Sequence, residues 1–214
     1  MDMRHRTSKA LFAYWNGVRA ERLAPRRFEI EPSAIAQILS STFILERLDT
    51  ATFRYRLAGT TVCDYFGLEL RGSNFAEGWP HEDRIAIEDG FSALTTQAAA
   101  VLLQIEAAPK GRASTPFEVL MLPLRHTGDR IDRVLGAFSA LEAPVWLGHA
   151  MLTTKRLISH ELIWPAGNEL DRLQETIAEP PMLMHAANAR IVRSERRQFR
   201  VFEGGLSEAS REES

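Results

Sequence analysis

The residues of this 214-residue chain that could support catalysis or metal binding are six histidines, one cysteine and a few adjacent carboxylates. No two histidines form a His-x-x-x-His pair, and none stands at metal-ligand spacing from the cysteine. Neither a Gly-x-x-x-x-Gly-Lys phosphate loop nor a Gly-x-Ser-x-Gly nucleophile elbow is present. Glu82-Asp83 and Glu88-Asp89 are adjacent on a predicted helix, so we expect solvated side chains that point in different directions. The sequence therefore predicts no metal site and no catalytic residues.

Cys63 is the only thiol, and it lies inside a short predicted helix. An isolated cysteine of this kind is most often a small buried apolar side chain. A redox- or flavin-reactive thiol would need an electropositive neighbour or a bound cofactor. We therefore expect Cys63 to be a packing residue.

Ser159-His160-Glu161-Leu162, with a proline at position 165, is the second candidate for chemistry. It resembles the phosphoacceptor box of sensor histidine kinases, in which an exposed histidine on a helix has an acidic neighbour. Only 49 residues follow the proline, and they contain no glycine-rich ATP lid. A phosphorelay protein modified at His160 is therefore an alternative function. The simpler interpretation is an exposed histidine on a strand or helix that packs against the core.

The net charge of −2 conceals an uneven distribution. Residues 1–27 carry seven Lys or Arg side chains against two carboxylates, and residues 190–200 carry five arginines against one. An acidic body with basic ends favours self-association or docking to a protein, and nucleic acid is not the expected partner. The alternative is a nucleic-acid-associated regulator that uses four C-terminal arginines: Arg193, Arg196, Arg197 and Arg200.

Composition and hydropathy are those of an ordinary globular protein, with 45% hydrophobic and 25% charged residues. No apolar run approaches the roughly 20 residues that a membrane span needs. The apolar stretch 11–15 is too short for the core of a signal peptide. A single cysteine excludes an internal disulfide framework. We expect a cytoplasmic protein that does not contact membranes.

Helical spacing predicts an N-terminal helix from Ser8, as its N-cap, to Leu23, and a shorter helix that Glu31-Pro32 opens. A third helix is predicted at Thr60–Phe66, ended by Gly67, and a long one from Pro80 to about Ala98. Gly90 inside the long helix suggests close packing or a bend.

Strands rich in β-branched and aromatic residues are predicted at five places: Thr42–Leu48, Thr52–Ala58, Ala100–Ala107, Thr115–Arg125 and Arg130–Leu141. In the second strand, alternation places Phe53, Tyr55 and Leu57 on one face and Arg54 and Arg56 on the other. The sequence thus predicts an α+β fold with a five-stranded antiparallel sheet and helices inserted after the second strand. For residues 151–164, the apolar spacing does not distinguish a strand from a helix.

Two stretches resemble the signature of the PAS family: Leu70-Arg71-Gly72-Ser73-Asn74-Phe75 and Trp79-Pro80-His81-Glu82-Asp83-Arg84. The order of the predicted elements is also that of a PAS domain. Further segments resemble a family of small, mostly alphaproteobacterial proteins built on one PAS domain. These segments are Tyr14-Trp15, residues 22–27, residues 53–60, residues 66–72, Leu122-Pro123-Leu124 and Trp146-Leu147-Gly148. The resemblance covers about residues 8–150.

The resemblance implies a non-catalytic sensor or adaptor in signal transduction, which senses a small ligand or contacts an unidentified signalling protein. The candidate pocket residues are Tyr65, Phe66, Phe75, Trp79, Phe91, Leu94 and Met121. Such apolar linings are typical of ligand pockets, but simple core packing is the favoured explanation of the same residues. A homodimer is expected through the N-terminal helix, unless this helix docks on the domain's own sheet. Its interface candidates are Leu11, Tyr14, Trp15 and Val18.

Neither of the two familiar PAS cofactors is expected. Flavin-binding members place their cysteine in an Asn-Cys-Arg-Phe motif, whereas here Phe75 follows Asn74. Haem-binding members place a histidine on the long helix, and His81 stands only at its start. An unidentified small molecule is the remaining possibility. The predicted organisation is an N-terminal helical segment at 1–41, a PAS core at 42–141, a C-terminal extension packed on the core at 142–189, and a disordered basic and then acidic tail at 190–214.

Overall fold

A six-stranded sheet with helices on both faces makes up residues 3–165, the part of the chain that the computed structural model describes. The helices are α1 (Arg6–Arg19), α2 (Thr60–Phe66) and α3 (His81–Gln97), with short 3₁₀ helices at Arg27–Glu29, Pro32–Ile35 and Leu39–Ser41. The strands are β1 (Thr42–Arg47), β2 (Phe53–Ala58), β3 (Ala100–Ala108), β4 (Thr115–Arg125), β5 (Ile131–Ala140) and β6 (Thr154–Ile163). The predicted α+β class is confirmed. The predicted tail at 190–214 and the extension beyond residue 165 lie outside the described residues.

The sheet has the order β2-β1-β5-β4-β3-β6, and every neighbouring pair is antiparallel. The predicted count of five strands is wrong for the described residues, because β6 adds a sixth strand to the free edge of β3. Residues 154–163 are largely exposed on one side, so their apolar spacing alone did not distinguish strand from helix. Pairing with β3 satisfies the backbone N–H and C=O groups that face this neighbour and selects the strand.

A β-bulge interrupts the alternation of β2. On the neighbouring strand Ile44 pairs with Leu57, and the next residue, Leu45, pairs with Tyr55, so Arg56 is the extra residue. Phe53 and Tyr55 are buried on the α3 side, whereas Leu57 is 44% exposed. The prediction that Leu57 shares a face with these two aromatic residues is therefore wrong. We call the α3 side of the sheet the inner face and the α1 side the outer face.

Helix α1 begins at Arg6 and ends at Arg19, so both predicted ends are wrong. The cap is His5, whose Nδ1 accepts a hydrogen bond from the Thr7 backbone N–H at 3.1 Å. Ser8 is instead fully buried inside the first turn. Ala20 ends the helix with a φ of 53°, ahead of the predicted end at Leu23.

The outer face is covered by α1 and the 27–41 segment of the same chain. Leu11 and Trp15 are completely buried there, and the Trp15 indole N–H donates a hydrogen bond to the Pro123 carbonyl at 2.9 Å. Because this packing removes both side chains from the surface, their assignment to a dimer interface is wrong. Tyr14 and Val18 are half-buried, and for them the interface stays a prediction.

A buried carboxylate holds the start of α1 on the sheet. Glu118 of β4 has no exposed surface, and it accepts hydrogen bonds from the backbone N–H groups of Arg4 at 2.7 Å and His5 at 3.0 Å. The Gln104 side-chain amide donates a third, also at 3.0 Å. Burial by itself raises the pKa of the Glu118 carboxyl, but the nearby Ser8 hydroxyl and these donors outweigh it and lower the pKa below its ordinary value.

The inner face carries α2, α3 and an aromatic core. The Phe53 and Phe91 rings stack with centroids 3.7 Å apart, and Phe91 meets Phe75 edge to face at 5.5 Å. Gly90 of α3 lets the helix approach β3, because a Cβ there would lie 3.2 Å from a Val101 methyl carbon. The close-packing interpretation of this glycine is confirmed. The predicted bounds of α2 are also confirmed, and Gly67 ends it in a left-handed conformation with a φ of 64°.

Candidate functional site

A cavity of about 220 Å³ opens between the end of α2, the 67–80 loop and the start of β6. Its aromatic and aliphatic walls are Tyr55, Phe66, Leu68, Leu70, Phe75 and Leu152. Its polar and small residues are Ser73, Asn74, Glu77, Gly78, Thr153 and Lys155. An apolar body with a few convergent polar groups is the usual composition of a small-molecule site, and this one is smaller than a typical drug pocket. We call it the inner cavity.

The 67–80 loop is tied to β2, and this fixes one wall of the inner cavity. The Tyr55 backbone N–H donates to the Ser73 carbonyl at 2.9 Å, and the Gly72 N–H donates to the Tyr55 carbonyl at 2.8 Å. The Asn74 side-chain oxygen also accepts hydrogen bonds from the backbone N–H groups of Phe53 and Ala76, each at 3.2 Å. The motif that resembles a PAS signature therefore acts as an extra pairing segment along the edge of the sheet.

Lys155 places the one ammonium group among the residues that line the inner cavity. Its Nζ donates a hydrogen bond to the Glu77 carbonyl at 2.9 Å and lies 4.8 Å from the Trp79 ring centroid and 5.4 Å from that of Phe66. Contact with two aromatic faces favours the cation. Burial acts in the opposite direction and lowers the pKa of Lys155 to about 8. The side chain is therefore mostly charged at neutral pH and loses its proton at a lower pH than an ordinary lysine.

Tyr55 is another residue with a polar side-chain group among those that line the same cavity. The residue is only 5% exposed, and burial raises the pKa of its phenol, so the hydroxyl stays protonated. Among residues 3–165, this hydroxyl has no hydrogen-bond partner. A buried side chain with an unused donor and acceptor in a cavity can bind a polar group of a ligand.

The seven predicted pocket residues fall into three groups. Phe66 and Phe75 line the inner cavity, and Trp79 contacts it through Lys155. Three others are core residues that the cavity does not reach: Phe91, Leu94 and Met121. Tyr65 packs edge to face on Phe117 at 5.4 Å and is not among the residues that line the cavity. The side chains of Phe91, Leu94 and Met121 belong to one buried hydrophobic cluster, so the space expected among them is filled.

Sequence reasoning missed Lys155 and Tyr55. Lys155 lies in the segment whose secondary structure was undecided, so nothing along the chain connected it with the aromatic residues. Tyr55 was assigned to the correct face of β2, and its hydroxyl could have been recognised as a candidate pocket group.

The prediction that Asp83 is solvated is wrong, since this residue is only 7% exposed. It accepts a hydrogen bond from the Leu157 backbone N–H at 2.9 Å and so joins the start of α3 to β6.

The remaining candidates for chemistry lie apart from the inner cavity. His160 is exposed in the middle of β6, paired with Leu103, so the helix that the phosphoacceptor interpretation requires is contradicted. Cys63 is half-buried on α2 and packs beside the aromatic core, as expected. Within residues 3–165 no cluster of His, Cys, Asp or Glu side chains could hold a metal ion. The same part of the chain contains no helix that is both long and apolar enough to cross a membrane.

The described residues thus form an antiparallel sheet with helices on both faces and a small, mostly apolar cavity beside α2. The sequence profile of the PAS domain family matches residues 3–139. This chain belongs to the PAS domain family, whose members serve in sensory signalling. The narrower resemblance, to small alphaproteobacterial proteins with one PAS domain, stays a prediction.

Two solved structures show distant similarity. One is an RNA-binding light-oxygen-voltage receptor, with 16% identity over 49% of this chain and a TM-score of 0.34. The other is the ligand-binding domain of the Pseudomonas aeruginosa PAO1 amino-acid chemoreceptor PctC in complex with GABA, with 15% identity over 64% of this chain and a TM-score of 0.30. The matches span 31% and 54% of those chains. No curated protein matches the sequence. The fold assignment therefore rests on the family match and on the order of strands in this sheet.

Proposed function

We propose that this protein is a cytoplasmic PAS sensor that binds a small molecule in the inner cavity and signals through contacts with another protein. The observation that carries the proposal is the pair of polar groups in an aromatic cavity. Lys155 offers a cation whose only hydrogen bond within residues 3–165 is to a backbone carbonyl, and Tyr55 offers a hydroxyl without a partner in that range. No catalytic step, flavin or haem is part of the proposal.

The ligand class follows from the chemistry of the inner cavity. A carboxylate or carbonyl oxygen would accept a hydrogen bond from Lys155 in place of the Glu77 carbonyl, and the Tyr55 hydroxyl would bind a second polar atom. The larger part of the remaining walls is aromatic or aliphatic, so the body of the ligand would be aliphatic or aromatic. A cavity of about 220 Å³ restricts it to a molecule smaller than most drugs.

Strand β6 would couple ligand binding in the inner cavity to helix α3, because it contacts both. Lys155 stands on β6, and two residues further along the same strand the Leu157 N–H binds Asp83 at the start of α3. A ligand that draws the Lys155 ammonium away from Glu77 would therefore act on the strand that also holds α3. This is the route by which the proposed sensor would change its outer surface.

Native mass spectrometry of the full chain purified from its own host tests the proposal. We expect a bound small molecule in the wild type, at least tenfold less of it in Lys155→Met and Tyr55→Phe, and no loss in the control Lys110→Met, whose residue lies on the exposed β3–β4 turn. The same spectra report whether the protein is a homodimer. Equal occupancy in all four proteins, or no bound molecule in any, would contradict ligand binding in the inner cavity.

A further inference from the structure

A trench on the outer face of the sheet, on the opposite side from the inner cavity, has a volume of about 460 Å³. It lies between the 27–40 segment and strands β1, β2 and β5. Its walls are mostly apolar: Ile30, Pro32, Ile35, Leu39, Ile44, Leu57 and Leu135. Leu57 and Leu39 remain 44% and 37% exposed. This volume lies within the usual range of small-molecule sites, about 300–1,000 Å³. We call it the outer trench.

One end of the outer trench is cationic. A second cavity of about 300 Å³ continues from it, and the two share Arg27, Ile44 and Leu57. The other residues that line this second cavity are Arg56, Arg133 and His126. An apolar channel that leads into a group of guanidinium groups is complementary to an amphipathic anion.

Positive charge is in excess at this end. Glu46 is the carboxylate that three guanidinium groups share, with Arg133 at 2.9 Å, Arg54 at 3.2 Å and Arg56 at 3.6 Å. Arg133 also pairs with Asp132 at 3.3 Å. Arg27 forms no ion pair with any residue between 3 and 165. Arg27 therefore has no carboxylate partner within residues 3–165, and the half-exposed Arg56 shares its carboxylate with two other arginines, so both can pair with a further anion.

Backbone contacts hold the outer trench open. The Glu31 N–H donates to the Tyr14 hydroxyl at 2.8 Å, which fixes the start of the 31–40 segment on α1. The Gly59 N–H donates to the Thr42 carbonyl at 2.8 Å, and a Cβ at Gly59 would overlap the backbone of residues 39 and 40. The bulge at Arg56 turns Leu57 toward the trench. Because the site is preformed, the protein loses little conformational entropy when a ligand binds.

We infer that the outer trench binds a free long-chain monocarboxylate, with its apolar chain along Leu57 and Ile35 and its carboxylate between Arg27 and Arg56. The inference does not depend on the proposed function, because it concerns the other face of the sheet. A carboxylate fits the planar guanidinium groups in a bidentate manner. The chain would cover apolar side chains that the fold otherwise leaves open to water.

Isothermal titration of the full chain with sodium decanoate tests the inference. We expect saturable binding by the wild type and at least tenfold weaker binding by Arg27→Ala/Arg56→Ala. Leu57→Glu places a carboxylate in the trench, and we expect it to abolish binding. Arg71→Ala, at an exposed arginine of the 67–80 loop, is the matched control and should bind decanoate like the wild type. Circular dichroism of each variant confirms that the fold is retained.

Three further measurements separate the possible outcomes. Decanol has a similar chain without the charge and should bind at least tenfold more weakly, and acetate should not bind. Lys155→Met should retain decanoate binding. If this variant lost binding while Arg27→Ala/Arg56→Ala bound fully, decanoate would occupy the inner cavity and the inference would be overturned. Sedimentation with phosphatidylglycerol vesicles but no binding of decanoate would also overturn it, in favour of a membrane surface.

Discussion

Replacing Glu118 with glutamine should strongly destabilise the attachment of α1 to the sheet. The carboxylate is fully buried, and its two oxygens accept three hydrogen bonds from donors that belong to three different residues. Glutamine has almost the same shape, but it has one oxygen and an NH₂ group that faces at least one of these donors. The substitution therefore tests the charge and the acceptor count with little change in volume.

The expected loss of unfolding free energy in Glu118→Gln can be estimated from the hydrogen-bond donors around the carboxylate. A hydrogen bond to a charged group contributes about 1.5–3 kcal/mol, and a buried donor left without a partner costs about 1–3 kcal/mol. The carbonyl oxygen of the introduced glutamine would keep one or two weaker bonds, and one donor would lose its partner. We expect the free energy of unfolding to fall by roughly 2–4 kcal/mol, a large part of the 5–15 kcal/mol typical of a domain.

Urea denaturation followed by circular dichroism at pH 7 measures this loss. The matched control is Glu106→Gln, at an exposed carboxylate on β3 that accepts one hydrogen bond from the Ser114 hydroxyl at 2.8 Å. We expect it to change the free energy of unfolding by less than about 0.5 kcal/mol. Hydrogen exchange should also show faster exchange of the α1 amides in Glu118→Gln.

The pH dependence gives an independent check. Because the pKa of Glu118 is lower in the folded protein than in the unfolded chain, its contribution is present above the unfolded pKa and is lost as the pH falls through the folded pKa. The gap in stability between wild type and Glu118→Gln should therefore shrink as the solution is acidified below the ordinary glutamate range. A loss at pH 7 no larger than that of Glu106→Gln, or a gap that is constant in acid, would refute the reasoning.

Three further predictions concern Lys155 and two glycines. Since the pKa of Lys155 is about 8 in the folded protein against an ordinary value of 10.5, the unfolded chain holds more protons between these values. The wild type should therefore gain stability over Lys155→Met as the pH rises through this window. If the melting temperatures of the two proteins changed equally with pH, the assigned pKa would be contradicted. Gly136→Ala should cost about 3 kcal/mol in urea denaturation, because its Cβ would overlap the Phe43 ring and lie 2.8 Å from the Leu120 carbonyl oxygen; an unchanged midpoint would show that the ring can move. Gly17→Ala in α1 should raise stability by about 0.5–1 kcal/mol, because nothing lies within 4 Å of the added methyl group and alanine favours the helix; a loss of stability would argue against the helical assignment of this turn.

Local patterns along the chain were sufficient for most of the architecture. The apolar and turn residues predicted α2, α3 and five of the strands to within two residues or so, because these elements are defined by short-range periodicity and by the glycines that end them. The prediction failed where a contact distant in the sequence overrides local preference. Ser8 has the side chain of a good N-cap, yet it is buried beside Glu118, and His5 caps the helix in its place.

The two candidate sites differ in how far the sequence could reveal them. The aromatic residues Phe66 and Phe75 were recognised as pocket residues from their types and from the family resemblance. Lys155 joins them only because β6 pairs with β3, which places the start of β6 in the lining of the inner cavity. The outer trench could not be foreseen, since it depends on a one-residue bulge that turns Leu57 to the outer face.

The sequence by itself therefore determined the fold class, the family and the absence of familiar catalytic motifs, because each of these depends on residue types and spacing within short segments. The tertiary structure assigned residues 154–163 to a sixth strand, placed Leu11 and Trp15 against the protein's own sheet, and brought Lys155 and Tyr55 to one cavity. These outcomes depend on which surfaces meet across the sheet. Burial and pairing between residues far apart in the sequence are determined by the packing of the whole domain, and local periodicity does not predict them.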